Sequence, residues 1–105
     1  MNEIEQSIRE LVNTSDYQKG LEYDEDYLKF VGVTNVSDKR RLQFLVESES
    51  SYRKYLVQVE TQFDEVVSTY CTCPQFQATH SCKHLAACLI SFSNEIFPLI
   101  KPKDT

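Results

Sequence analysis

Three of the four cysteines and both histidines of this 105-residue chain lie between Cys71 and His84. They read Cys71-Thr72-Cys73-Pro74 and then, after Gln75 to Ser81, Cys82-Lys83-His84. Soft thiolates and an imidazole offered as two short-range pairs across a loop are the donors a structural zinc ion takes, commonly as tetrahedral Cys₃His. The metal candidates are therefore Cys71, Cys73, Cys82 and His84, with Zn²⁺ as cofactor. Two other assignments stay open: His80 can take the place of His84, or Cys88 can be the fourth ligand. Against Cys88, its spacing of six from Cys82 puts the two on different faces of any shared helix. A disulfide framework needs an oxidising compartment, and no apolar signal segment points to one. A Cys-His nucleophile needs an oxyanion hole and an orienting third group, and neither is legible.

The elements flanking these residues must bring the two pairs together. In an extended segment residues two apart point the same way, so a strand ending at Pro74 aims Cys71 and Cys73 at one ion. Leu85, Cys88, Leu89 and Phe92 recur at i, i+3, i+4 and i+7 and predict a helix, capped by Ser81 or Thr79. Two residues inside a helix diverge by about 200°, so Cys82 and His84 converge only if Cys82 sits at the helix mouth. There the helix dipole also favours a thiolate.

The order Cys71-Thr72-Cys73-Pro74, Cys82-Lys83-His84 and the apolar run Leu85-Ala86-Ala87-Cys88-Leu89-Ile90 resembles the SWIM zinc finger, whose pattern is Cys-x-Cys, a variable gap, then Cys-x-His. More loosely, the preceding strands resemble the version near the amino end of bacterial Swi/Snf-type helicases. The resemblance implies a structural zinc module that mediates DNA or protein contacts beside a helicase motor. It departs from that version at Ser48-Glu49-Ser50-Ser51, where the turn is expected to carry Gly-Ser.

A chain of this length is expected to be one domain with a core small enough for a metal staple to matter. Its 41% hydrophobic and 26% charged residues are those of a soluble globule, and no apolar run of about 18 residues predicts a membrane span. The acidic start, Met1-Asn2-Glu3-Ile4-Glu5, is unlike a secretory signal, so a cytoplasmic location is expected. The ending Lys101-Pro102-Lys103-Asp104-Thr105 reads as a linker or tail and suits a module cut from a longer polypeptide. With only Gly20 and Gly32 available, no glycine-rich phosphate loop exists, so no nucleotide is expected. A closed four-ligand zinc leaves no position for water, so the chain is not expected to be an enzyme.

In chain order, Ile4, Ile8, Leu11 and Val12 predict an amphipathic helix over 3–13, and a short second helix from Asp16 is expected to end at Gly20. Residues 21–27 read as a solvated connection with Tyr23 and Tyr27 folded onto the core. Strands are predicted over 28–33, with a bulge at Gly32, then over 41–47, 52–60 and 63–70. In the last, Phe63, Val67, Cys71 and Cys73 are expected to share a face. Ser93 and Asn94 are expected to end the zinc-anchored helix. The fold class is thus α+β: a small antiparallel sheet with an N-terminal helix and a C-terminal zinc-anchored helix. The expected organisation is an acidic helical segment over 1–27 packed on a zinc-binding domain over 28–100, with 101–105 as tail.

Charge is uneven. Residues 1–27 hold eight acids and two bases, and residues 28–105 hold eight acids and nine bases. That balance does not advertise nucleic-acid binding. The one candidate patch is Arg40, Arg41, Arg53 and Lys54, brought side by side if residues 41–47 and 52–60 form a hairpin. Tyr52 and Tyr55 would be interleaved for base stacking, and Lys83 would extend the patch. The alternative partner is protein, either another chain or a downstream helicase domain.

Overall fold

The computed structural model describes residues 3–49, 52–63 and 65–97. Two helices, α1 (Glu3–Leu11) and α2 (Thr14–Leu21), lead through a short 3₁₀ turn at Glu25–Tyr27 into four strands: β1 (Leu28–Val36), β2 (Lys39–Glu47), β3 (Lys54–Gln62) and β4 (Glu65–Cys71). Three helices follow, α3 (Pro74–Thr79), α4 (Lys83–Ser91) and α5 (Ser93–Ile96). The strands form one antiparallel sheet in the order β1-β2-β3-β4. The α+β class expected from the sequence is the one observed. No helix among the described residues is long and apolar enough to cross a membrane. The apolar residues 98–100 and the tail 101–105 lie outside the described residues.

Alternation decides which face of the sheet is buried. Leu42, Phe44 and Val46 of β2 and Val57 and Val59 of β3 are completely buried on the inner face, each contributing about 1.5–3 kcal/mol of transfer free energy. The outer face is half-covered by its own cross-strand pairs. There Arg41 meets Glu60 at 2.8 Å, Gln43 donates to Gln58 at 3.2 Å, and Leu45 stands opposite Leu56.

Two irregularities shift the register, the first being the bulge expected at Gly32. The bulge in β1 lies between Phe30 and Gly32, which makes Val31 the extra residue. In the β3–β4 ladder Glu60 pairs with Ser68 but Thr61 with Val66, so Val67 is skipped. Val66, not Val67, therefore packs against the core, and Val67 is exposed. Phe63 sits in a left-handed turn conformation with its ring in solvent. Of the four residues expected on one face, Cys71 alone lies on the sheet's inner side.

Helix α4 is the hub. Leu85, Ala86, Ala87, Cys88 and Leu89 are all completely buried, because the sheet covers one side and α1 and α2 the other; a helix apolar all round must be covered all round. Gly20 is internal to α2, not a terminating residue, and its φ is not positive. A Cβ there would stand 2.8 Å from the Ala86 Cβ and 2.9 Å from the Ala87 amide nitrogen, so Gly20 is what lets the two helices touch. Helix α4 ends at Ser91 with Phe92 as its C-cap, just before the expected Ser93 and Asn94, and these two open a further short helix, α5, which seats Ile96 and Phe97 in the core. Phe92, at the junction, packs on Phe44 at 4.9 Å between ring centroids.

Candidate metal centre

Strand β4 delivers the first donor. It ends on Cys71, whose partner across the ladder is Val57. Thr72 continues the edge for one more rung: its amide donates to the Leu56 carbonyl at 3.1 Å and its hydroxyl accepts from the Leu56 amide at 3.0 Å. Cys73 follows, still extended at φ −72° and ψ 155°, as the N-cap of α3. Pro74 thus ends the strand and also starts a helix, since proline at the first helical position loses no hydrogen bond. The side chain of Gln77 reaches back from α3 to the Cys71 carbonyl at 2.8 Å.

The second pair is arranged as its spacing requires. Cys82 is the N-cap of α4, and its Sγ accepts a hydrogen bond from the Leu85 amide at 3.3 Å. The cap is therefore the cysteine itself, not Ser81 or Thr79. His84 lies in the first turn and projects to the same side. The donor atoms of Cys71, Cys73, Cys82 and His84 all lie within 4.8 Å of one another, and all four residues are buried. A tetrahedron with Zn–S near 2.3 Å holds its thiolates about 3.8 Å apart, so no pair needs to close by more than about 1 Å.

The surroundings of the cluster are buried and aromatic. The His84 ring is sheathed by Tyr55, with centroids 4.8 Å apart, and by Tyr23 edge-on at 5.8 Å. Among the described residues neither ring nitrogen has a partner at hydrogen-bond geometry, although both are buried. An orphaned buried imidazole is costly, and a metal bond would occupy one nitrogen. The hydrogen bond with Cys71, together with burial, pushes the Cys82 thiol well above its ordinary range. Burial raises Cys73 too, partly offset by the Phe76 amide. A divalent cation inverts that logic and holds the thiols as thiolates.

The alternatives separate cleanly. His80 is the left-handed C-cap of α3 and is exposed, its ring edge-on to Phe76. Cys88 is buried on α4 but does not join the donor cluster. Burial and the nearby Cys82 push its thiol up.

The basic residues are not brought together. The hairpin of β2 and β3 forms, but Arg40 pairs with Thr61 and Arg41 with Glu60, while Lys54 pairs with Glu47 at the other end. Six residues of strand, roughly 20 Å, separate the two groups. Arg41 is bound to Glu60, Lys54 lies 4.0 Å from Glu47, and Arg40 donates to the Glu95 carbonyl. Strand β3 starts at Lys54, which leaves Tyr52 outside it and fully exposed. Tyr55 faces inward onto His84. Lys83, half-buried, begins α4.

The sequence reading missed the polar residues that hold the ligand loop. Asp16, only 1% exposed, accepts hydrogen bonds from Ser81 at 2.7 Å and from Gln75 at 3.0 and 3.1 Å. The partners are 59 and 65 residues away, so no local pattern announces them.

Fold and site together define an α+β domain whose last strand and central helix converge on a buried Cys₃His cluster able to hold a metal ion. No protein-family model matches the chain, and neither a curated protein nor a solved structure matches it.

Proposed function

We propose that this chain is a structural zinc module of the SWIM type, working as a protein-interaction domain and suited to a place beside a Swi/Snf-type helicase motor. The observation that carries the reading is the convergence of four buried donors, three sulfurs and one nitrogen, within 4.8 Å. Cys71, Cys73, Cys82 and His84 would hold the ion. All-protein coordination leaves no position for a hydrolytic water, so the ion's contribution is cohesion: it ties the end of β4, the start of α3 and the start of α4 to one point. The role is architectural rather than enzymatic.

Protein is preferred to DNA as partner because Arg40 and Arg41 lie at the opposite end of the hairpin from Lys54, and Arg41 and Lys54 are each paired with a glutamate. The resemblance of the Cys-x-Cys and Cys-x-His pairs to SWIM fingers supplies the helicase context.

Elemental analysis of protein purified without added metal tests the core of the reading, with one zinc per chain expected. Stripping the metal should abolish the cooperative melt, because burying three thiols and an unpartnered imidazole has no compensation without it. A metal-free protein that melts like the purified form would sink the proposal.

A further inference from the structure

In a capping box, the side chain three residues into a helix reaches back to the amide of the N-cap residue. Helix α2 has the two ends of such a box but not its closure. Asn13 caps the helix, accepting from the Asp16 amide at 2.8 Å. The Asp16 carboxylate, however, does not return to the Asn13 amide. Ser81 stands between them: the Asn13 amide donates to Ser81 Oγ at 3.1 Å, and Ser81 Oγ donates to Asp16 Oδ2 at 2.7 Å. A residue of the ligand loop thus completes the cap of a helix near the other end of the chain. Asp16 also binds the side-chain amide of Gln75.

Those two partners occupy particular places. Gln75 comes two residues after Cys73, and Ser81 immediately precedes Cys82. Asp16 therefore grips both ends of the connection between the second and third sulfur donors. The helix that carries Asp16, α2, is itself packed on α4, the helix that carries His84. A carboxylate this deeply buried, with no ion pair among the described residues, is retained at a cost that favours full hydrogen bonding.

Building on the zinc reading above, we propose that Asp16 is a positioning residue for the metal centre, acting through Ser81 and Gln75 to hold the Cys73 and Cys82 sulfurs at tetrahedral separation. Supports of this kind commonly govern metal affinity by about 10–100-fold. Because Asp16 acts one residue removed from the ligands, the lower end of that range applies.

The experiment follows zinc leaving the full-length, zinc-loaded chain into excess chromogenic chelator, with the visible absorption of Co²⁺-substituted protein as a report on the ligand set. Asp16→Ala and Ser81→Ala should each release zinc about tenfold faster than the parent, with the sulfur-to-cobalt band retained. Ile8→Ala, which truncates a buried residue of α1 that makes no hydrogen bond to Ser81 or Gln75, should melt lower yet release zinc at the parental rate. Release from Asp16→Ala and Ser81→Ala at the parental rate, or equal acceleration by Ile8→Ala, would overturn the proposal. If Asp16→Ala does not fold, Ser81→Ala alone decides between the same two outcomes. A parent that never retains zinc would instead sink the metal reading itself, so the two failures are told apart by the parent alone.

Discussion

At the scale of single residues, Cys88 and His84 differ by role although both are buried on α4. Cys88 contributes packing: its side chain is completely buried outside the donor cluster, and burial keeps its thiol protonated. Cys88→Ala should cost about 1–3 kcal/mol in a denaturant melt and leave the zinc content at one per chain. His84→Ala removes the nitrogen donor of the proposed site and also opens a space between Tyr23 and Tyr55, so it should lose both the metal and the cooperative transition. Zinc loss from Cys88→Ala with retention in His84→Ala would reverse the assignment. Spacing made the clustering of the four donors legible, because a Cys-x-His pair at a helix start converges only with its cysteine at the mouth, and Cys82 is the N-cap. Asp16 was not legible. Its neighbours in sequence mark a helix cap, and nothing local says that the cap is closed by Ser81.

Among the elements, the contact of α2 with α4 is the tightest test of the architecture. Alanine is the better helix former by about 1 kcal/mol, so propensity alone favours Gly20→Ala. The added methyl would meet backbone atoms of α4, at 2.9 Å from the Ala87 nitrogen and 3.0 Å from the Ala86 carbonyl carbon, and backbone does not rotate aside. Overpacking of this sort costs about 1–3 kcal/mol and outweighs the gain in propensity. Gly20→Ala should therefore lower the urea midpoint of the zinc-loaded protein, and a raised midpoint would mean that the helices are not in contact. The sequence suggested a different reason for Gly20, the end of the helix, because a glycine after a short helical run carries that signal whether or not the helix stops. Similar competition explains the other differences. Strands β2 and β3 were readable from the alternation of Leu42, Phe44 and Val46 and of Val57 and Val59, which face one core. In β4 the skipped Val67 moves the alternation by one residue, and a bulge leaves no composition mark in a run such as Val66-Val67. Helix α3 carries a single buried apolar residue, Phe76, too few to show a helical period.

For the whole molecule, the arrangement of charge decides what can approach it. The formal net charge is −5, and a zinc ion held by three thiolates and a neutral imidazole, as proposed, would make the chain more negative by one. The acids are concentrated in the first 27 residues, and α1 and α2 pack on α4 in the same body as the sheet. Any polyanion approaching the centre therefore meets a negative field that extends about 8 Å at physiological salt. Binding to DNA would have to be won locally, from phosphates neutralised by clustered lysines and arginines. The described structure spreads these residues instead: Arg40 and Arg41 lie at one end of β2, and Lys54 at the opposite end of β3 beside Glu47. Fluorescence anisotropy with a labelled duplex and a labelled single strand should show no saturable association at about 150 mM salt. Replacing Arg40, Arg41 and Lys54 together by alanine should leave the weak low-salt signal almost unchanged, because the three do not act on one stretch of backbone. Micromolar binding at that salt, abolished by the triple replacement, would mean that the two ends of the hairpin engage one nucleic acid across roughly 20 Å of strand. That outcome would favour DNA over protein as the partner of the proposed zinc module.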